Sequence, residues 1–160
     1  MSEFVRRLPV YLLLDCSGSM CGDPIEAVRQ GVKALISDLK GDPQALETAY
    51  ISVITFNSTA RQVSPLTELI QFNQPELTAG GATSLGKALK VLKESIDKEV
   101  RKSSEGQKGD WKPIVFLLTD GAPTDDWKKP LEELRASKPA NIIACAAGAN
   151  ADTTVLKEIT

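Results

Sequence analysis

The stretch Leu8-Pro9-Val10-Tyr11-Leu12-Leu13-Leu14-Asp15-Cys16-Ser17-Gly18-Ser19-Met20 decides how the rest of the chain folds. Residues 10–14 are apolar at every position, which is typical of a parallel strand that is buried on both faces. Polar residues follow at once: Asp15, Ser17 and Ser19 offer an oxygen at every second position, and a glycine between the serines lets the chain turn. The pattern predicts a site for a hard cation such as Mg²⁺, which prefers oxygen ligands and keeps some of its waters.

The composition is that of a globular protein. Of 160 residues, 42% are hydrophobic and 25% are charged, so one domain spanning residues 1–160 is expected. A net charge of −2 without a basic stripe argues against a nucleic-acid partner or an anionic membrane. The longest apolar runs are far shorter than the ~20 residues that cross a bilayer, and nothing marks the chain for export. We therefore expect a cytoplasmic protein with no membrane partner.

Histidine, the general base of many hydrolases, is missing from the sequence. The sequence has no histidine, which excludes Ser-His-Asp and Cys-His catalysis, HExxH zinc chemistry and the usual general base. Its three cysteines, Cys16, Cys21 and Cys145, form an odd set without CxxC spacing. A disulfide framework is therefore not expected.

Strand-like and helix-like segments alternate along the chain, which predicts a doubly wound α/β fold with a mostly parallel sheet. Strands are expected at residues 10–14, 50–56, 60–64, 113–119 and 141–147. A short polar turn separates the second strand from the third, so these two are expected to pair as an antiparallel hairpin at one edge. Residues 65–79 have a weak pattern and are expected to be a loop with one short helical turn.

Helices are expected where apolar residues recur at three- and four-residue steps or where a capping residue precedes a proline. They are predicted at residues 24–40, 43–46, 85–100, 127–136 and 152–159. Asp23 and Asp42 are expected to cap the first two, each with a proline at the next position. Thr83 and Ser84 are expected to cap the third helix, a role that does not compete with metal binding.

Oxygen-bearing residues recur at two further points. The segment Gly80-Gly81-Ala82-Thr83-Ser84 leads into the third helix, and Asp120 follows the buried strand at 113–119. In doubly wound sheets, ligands bind beyond the carboxyl ends of the strands, at the switch point in strand order. Asp15 and Asp120 both occupy such ends.

In residue type, order and placement, these segments resemble the metal-ion-dependent adhesion site (MIDAS) of von Willebrand factor A-type domains. The resemblance covers nearly the whole chain. In that family two serines and a threonine bind the cation through hydroxyls or waters, and two aspartates bind it directly or through water. It implies five ligands here: Asp15, Ser17, Ser19, Thr83 and Asp120. Because only two are charged, a bound Mg²⁺, with Mn²⁺ or Ca²⁺ as alternatives, would still attract the carboxylate of a partner protein.

A narrower resemblance is carried by residues 2–20, 109–113 and 141–148, which are similar to bacterial TerY-type proteins associated with tellurite resistance. For that family, the resemblance implies a cytoplasmic scaffold in a stress-resistance system that works with a protein kinase and a phosphatase. Family domains usually finish with a sixth strand and a closing helix. These are not evident before Thr160, so a C-terminally truncated domain or an exposed sheet edge is the expectation.

Two alternatives to a non-enzymatic interaction module stay open on the sequence. In a metal-dependent phosphoryl-transfer enzyme Asp15 would accept phosphate, but Ser17 and Ser19 stand where such enzymes generally need a second acid. Residues 81–87 match the glycine and lysine spacing of a phosphate-binding loop, but Ala88 replaces the required Ser or Thr. The leading prediction is a Mg²⁺-dependent protein-binding domain without enzymatic activity.

Several nearby residues are given ordinary structural roles. Asp125 and Asp126 are expected to be cap and surface acids of the helix at 127–136. Lys87 is expected to be a solvated helix residue and Cys16 an unreactive spacer. Trp111 and Trp127 are expected to pack over strand ends.

Overall fold

The computed structural model describes residues 6–101, 109–119, 125–136 and 141–146, apart from the side chains of Ser19 and Ala146. The strands are β1 (Leu8–Asp15), β2 (Ala49–Phe56), β3 (Ala60–Glu68), β4 (Ile114–Thr119) and β5 (Asn141–Ala146). They form one sheet in the order β3-β2-β1-β4-β5. All neighbours are parallel except the edge strand β3, which is antiparallel to β2. The predicted α/β fold with one antiparallel edge strand is therefore confirmed.

Helices cover both faces of the sheet, as the doubly wound prediction requires. They are α1 (Asp23–Lys40), α2 (Pro43–Thr48), α3 (Leu85–Glu99) and α4 (Lys128–Ala136). The apolar stripe of α1 packs on one face, and α3 and α4 pack on the other. Side chains of β1 alternate between the two cores, with Leu12 and Leu14 toward α1 and Tyr11 and Leu13 toward α3. The central strand therefore has no polar face, which explains its continuous apolar run.

The switch in strand order lies beside β1. The chain passes from β1 to β2 on one side and later returns to β4 on the other side. Asp15 is paired with Phe56 of β2, and Leu14 with Leu118 of β4, so the carboxyl ends of these three parallel strands lie at one edge. This is the edge where doubly wound proteins bind their ligands.

The β2–β3 hairpin is longer than predicted. β3 runs to Glu68 instead of ending at residue 64, because Thr67 and Glu68 still pair with Ile51 and Tyr50 of β2. Pro65 lies at a register irregularity between Ser64, which pairs with Val53, and Thr67, which pairs with Ile51, and proline is tolerated at such bulges in an edge strand. The expected loop therefore begins only after β3, and its predicted helical turn is a 3-10 turn at Leu69–Gln71.

Two of the predicted helix starts have different outcomes. Asp23 is already the first residue of α1, and the cap position is Gly22, whose φ of 87° is one that glycine adopts easily. The prediction that Asp23 caps α1 is therefore wrong. Asp42 does cap α2, since its Oδ1 accepts a 2.9 Å hydrogen bond from the N–H of Gln44. That helix continues to Thr48, beyond the predicted end at residue 46.

The prediction that β4 and β5 are buried on both faces is wrong: β4 is buried on one face only, and in β5 even Ile142 and Ala144 are only partly buried. Phe116 and Leu118 are only partly buried, and Ile143 is 45% exposed. The reason is that α1 packs over β1 and β2 and reaches β4 only at its margin. Residue 147 and the helix predicted at 152–159 lie outside the described residues.

The two tryptophans lie in different surroundings. The backbone N–H of Trp111 donates to the backbone carbonyl of Arg7 at the amino end of the sheet. The Arg6 guanidinium carbon lies 4.9 Å from the centroid of the Trp111 ring. Trp127 is partly buried and packs against the core beneath α3 and α4. No helix in the described part of the chain is long and apolar enough to span a bilayer.

Candidate metal centre

The Asp15 carboxylate ends the central strand and is fully buried. Its Oδ1 accepts a 2.8 Å hydrogen bond from the backbone N–H of Ser17, and its Oδ2 accepts a 2.6 Å bond from the Thr119 hydroxyl. A carboxylate has about four acceptor sites, so these two bonds orient the group and are compatible with cation coordination. Thr119 was not singled out in the sequence. The only signal available was its place at the end of a strand predicted to be buried.

The turn after Asp15 is joined to the segment that leads to Thr83. The N–H of Gly18 donates to the carbonyl of Gly81 at 2.8 Å, and the N–H of Gly80 donates to the carbonyl of Cys16 at 2.9 Å. Gly81 has a φ of 84°, and a Cβ at this position would lie 2.7 Å from Ser58 Oγ. Glycine is therefore needed here both for its backbone conformation and for the close approach.

The β2–β3 turn holds the start of α3 from the other side. The N–H of Ser84 donates to the carbonyl of Asn57 at 2.9 Å, and the Ser84 hydroxyl donates to the carbonyl of Ser58 at 3.2 Å. The Ser84 side chain therefore does not cap its own helix, contrary to the prediction. Lys87 is exposed, but its Nζ also donates to the Ser58 carbonyl, at 2.9 Å, so it is more than a solvated residue. Thr83 is buried between these contacts.

Asp125 caps α3, although it lies 39 residues away from Gly86 in the sequence. Its Oδ1 accepts a 2.9 Å bond from the N–H of Gly86, and its Oδ2 accepts a 3.1 Å bond from the N–H of Lys87. The prediction that Asp125 serves its own helix α4 is therefore wrong. A phosphate-binding loop would need these N–H groups for a phosphate, so this carboxylate argues against the phosphate-loop alternative.

Three of the five predicted ligands, Asp15, Ser17 and Thr83, have side chains that the structure describes. Asp15 and Ser17 are neighbours in a buried turn, and the segment leading to Thr83 is hydrogen-bonded to that turn. The side chain of Ser19 and all of Asp120 lie outside the described residues. In the described ranges, no three His, Cys, Asp or Glu side chains cluster as a metal site. A cation held here would therefore depend on hydroxyl oxygens as well as carboxylates, and that donor set suits a hard ion.

Cys16 separates two of these residues and has a buried thiol. Burial, with a further contribution from the negative charge of Asp15, raises the pKa of the Cys16 thiol to about 11. The thiol is therefore protonated at neutral pH, and a protonated thiol is a weak nucleophile and a weak metal ligand. These properties agree with the expected role as an unreactive spacer.

The fold and this edge of the sheet define the class of protein. The profile of the von Willebrand factor type A domain matches residues 10–160. The chain belongs to this family. It is also 31% identical over 121 residues to an uncharacterized protein of Synechocystis, covering 72% of this chain and 26% of that protein.

Solved structures of low sequence identity share the fold. Proximal thread matrix protein 1 from the mussel byssus, with a zinc-occupied MIDAS motif, has a TM-score of 0.69 at 22% identity, covering 97% of this chain and 41% of its own. The manganese-loaded TRAP protein of Plasmodium vivax has a TM-score of 0.64 at 17% identity, covering 96% of this chain and 62% of its own. The chain spans about a quarter or less of the curated relatives it matches.

Proposed function

We propose that this domain is a metal-dependent protein-interaction module. Five side chains would hold one Mg²⁺ ion: Asp15, Ser17, Ser19, Thr83 and Asp120. The observation that carries the proposal is the buried Asp15 carboxylate, which Ser17 and Thr119 orient at the switch point of the sheet. A bound divalent ion supplies a coordination position that the carboxylate of a partner protein can occupy.

Hydrogen bonds within the chain would orient the proposed ligands Asp15 and Thr83 for the ion. The Thr119 hydroxyl and the Ser17 N–H fix both carboxylate oxygens of Asp15 before any ion arrives, which reduces the ordering cost of binding. The segment before Thr83 is tied to the turn after Asp15 by two backbone hydrogen bonds. The zinc and manganese in the MIDAS-containing byssus protein and in TRAP support divalent-ion binding by this fold. For this chain Mg²⁺ is our proposal, with Mn²⁺ or Ca²⁺ as alternatives.

The proposed module is not an enzyme. The chain has no histidine, and the thiol next to Asp15 is protonated because of its burial. Membership of a family whose domains generally serve as interaction modules supports this view. The phosphoryl-transfer alternative predicts Mg²⁺-dependent hydrolysis of an aryl phosphate, and turnover that is lost in Asp15→Ala would favour that alternative.

Calorimetric titration with Mg²⁺ tests the metal site directly. We expect saturable binding to the full chain and no binding to Asp15→Ala, which removes one of only two charged ligands. Asp38→Ala is the matched control, because it removes an exposed carboxylate from α1. Equal Mg²⁺ affinity in Asp15→Ala and Asp38→Ala would contradict the proposed site.

The narrower proposal is a cytoplasmic scaffold of a tellurite or stress-resistance system that binds a protein kinase and a phosphatase. It is supported by the similarity of residues 2–20, 109–113 and 141–148 to the sequences of TerY-type proteins. The test is a pull-down from the native cell extract with and without a chelator. Chelator-sensitive recovery of a kinase and a phosphatase is expected, and their absence from both samples would contradict this narrower assignment.

A further inference from the structure

A cavity of about 480 Å³ opens beside the candidate metal centre. It lies between the β2–β3 hairpin and residues 76–81, and Cys16 forms part of its wall. Cys16 stands between Asp15 and Ser17 in the sequence, so the cavity adjoins the turn that carries these two predicted ligands. Its volume falls within the range of about 300–1,000 Å³ that is typical of ligand-binding clefts.

Both walls of the cavity are held by contacts within the fold. On the hairpin side, Ser58 accepts hydrogen bonds from Ser84 and Lys87 through its carbonyl, and from the N–H of Ala82 through its hydroxyl at 3.1 Å. On the other side, Arg29 donates to the carbonyl of Leu77. The Gln74 amide also donates to the carbonyl of Arg29, at 3.1 Å. A preformed cavity of this kind loses little conformational freedom when it is filled.

The lining of the cavity is polar and carries both signs of charge. Hydroxyl groups come from Thr55, Ser58, Thr59 and Thr78. Arg61 of β3 provides a cation and Glu76 an anion, and both side chains are exposed. Among the described residues, neither charged group takes part in a side-chain hydrogen bond or an ion pair. Both charges are therefore available to an occupant of the cavity.

This chemistry selects a particular kind of occupant. An arginine fork binds a carboxylate through two parallel hydrogen bonds, and a glutamate pairs with a lysine or arginine. A purely acidic occupant would meet repulsion from Glu76, and an aliphatic one would leave the hydroxyl groups without partners. A peptide segment that carries one acid and one base satisfies both charged groups.

We propose that this cavity receives the residues next to the metal-binding acid of a partner protein, with an acidic side chain toward Arg61 and a basic side chain toward Glu76. The inference rests on the proposed function, because the metal would hold the first carboxylate of the same segment. The partner motif is then a metal-binding Asp or Glu followed closely by residues of opposite charge. Specificity resides in Arg61 and Glu76, and the metal supplies a contact common to any carboxylate.

A matrix of capped hexapeptides tests this proposal. Each peptide has one fixed Asp, and the next three positions carry Asp, Lys, Gln or Leu in all combinations. Binding to the full chain in Mg²⁺ is measured by fluorescence polarisation. Because an exposed ion pair contributes about 0.2–1 kcal/mol, peptides that add one Asp and one Lys to the fixed Asp, and so form two such pairs, should bind about 2- to 30-fold more tightly than peptides with three Gln at these positions.

Two substitutions separate the charges of the cavity. Arg61→Gln should abolish the preference for the additional Asp, and Glu76→Gln should abolish the preference for Lys. Lys90→Gln and Glu94→Gln are the matched controls, because they remove the same charges from exposed positions of α3 and should leave both preferences intact. Equal loss of preference in the controls would overturn the proposal.

The chelator distinguishes this proposal from the proposed function. If all peptides bind equally and EDTA releases them, the metal module stands and the charge-selective cavity is overturned. If EDTA and Asp15→Ala change neither the charge preference nor the affinity, the charge selectivity of the cavity is supported, while the metal-held acid and the proposed metal function are refuted. Absence of binding by every peptide, together with saturable Mg²⁺ binding in the calorimetric titration, would overturn the cavity proposal and leave the metal site standing.

Discussion

The Thr119 hydroxyl donates a 2.6 Å hydrogen bond to Oδ2 of Asp15, a residue 104 positions earlier in the chain. This bond joins the carboxyl ends of β4 and β1, two neighbouring parallel strands. Ser17 binds the other carboxylate oxygen, so the orientation of Asp15 depends on two separate segments. In the proposed metal site these bonds would matter, because hydrogen-bond partners that orient metal ligands contribute to metal affinity.

We therefore expect Thr119→Val to weaken Mg²⁺ binding about 10- to 100-fold, the effect usually seen when an outer partner of a metal ligand is removed. The valine keeps the shape of the side chain but cannot donate a hydrogen bond. Thr119→Ser keeps the hydroxyl and should retain most of the affinity. Calorimetric titration measures both variants, and identical affinities for Thr119→Val and the unchanged chain would show that this bond does not support the metal site.

Mg²⁺ should raise the melting temperature in a saturable way. A ligand that binds only the folded state adds about 2.7 kcal/mol at a hundred times its dissociation constant, which corresponds to about 5–10 °C for a domain of this size. Thermal unfolding followed by circular dichroism measures the shift. Asp15→Ala should abolish the shift and Asp38→Ala should preserve it, while a shift of equal size in both variants would indicate metal binding elsewhere.

Gly86→Ala should destabilise the domain, although alanine normally favours a helix by about 1 kcal/mol over glycine. A Cβ at Gly86 would overlap the carbonyl oxygen of Asp126, so the backbone carrying the Asp125 cap would have to move. Gly31→Ala in α1 is the matched control, because its Cβ would meet only Leu118 Cδ2 at an ordinary 3.8 Å. Chemical denaturation should show opposite signs for the two variants, and stabilisation by both would refute the close packing at Gly86.

The ion pair between Arg7 and Asp110 should make part of the stability dependent on pH. Arg7 Nη2 lies 2.7 Å from Asp110 Oδ2, and the N–H of Arg101 donates to the same oxygen at 2.9 Å. Burial alone would raise the pKa of Asp110, but the hydrogen bonds and charge of Arg7, with the Arg101 N–H, lower that pKa below its usual value. The unfolded chain therefore binds a proton at Asp110 more readily than the folded domain does.

The stabilisation from Asp110 should thus be fully present above its unfolded pKa of about 3.9 and be lost as the pH falls through the lower folded value. The free energy of unfolding of Asp110→Asn should lie below that of the unchanged chain at pH 7, with the difference shrinking in acid. Denaturant titrations across that range measure this difference. A constant difference at every pH would mean that the proton equilibrium of Asp110 does not contribute.

Local patterns predicted the type and chain order of the helices and strands in the described ranges, but not all of their ends. The apolar run of residues 10–14 predicted a central strand buried on both faces, because every side chain in it must be removed from water. Asp42 before a proline predicted the start of α2, because a helix cap is a contact between near neighbours. The antiparallel edge hairpin also followed from a short polar turn between two β-rich segments.

Contacts between distant segments were decided only by the tertiary structure. The sequence placed Asp125 at its own helix, but packing of α4 beside α3 brings its carboxylate to the N–H groups of Gly86 and Lys87. The pairing of Thr119 with Asp15 likewise requires that β4 lie next to β1. Neither contact has a local signal, because which residues meet at the edge of a sheet depends on strand order and on the register between strands.

The cavity beside the candidate metal centre likewise depends on contacts between distant segments. Arg61 and Glu76 stand in segments of unremarkable composition, and their charges alone would be read as solvated surface. They line one space because the β2–β3 hairpin and the segment before α3 are each fixed by hydrogen bonds to other parts of the chain. The sequence by itself therefore determined which oxygen-bearing residues follow which strands, while the packing of the strands and loops around Asp15 determined which side chains come together beside them.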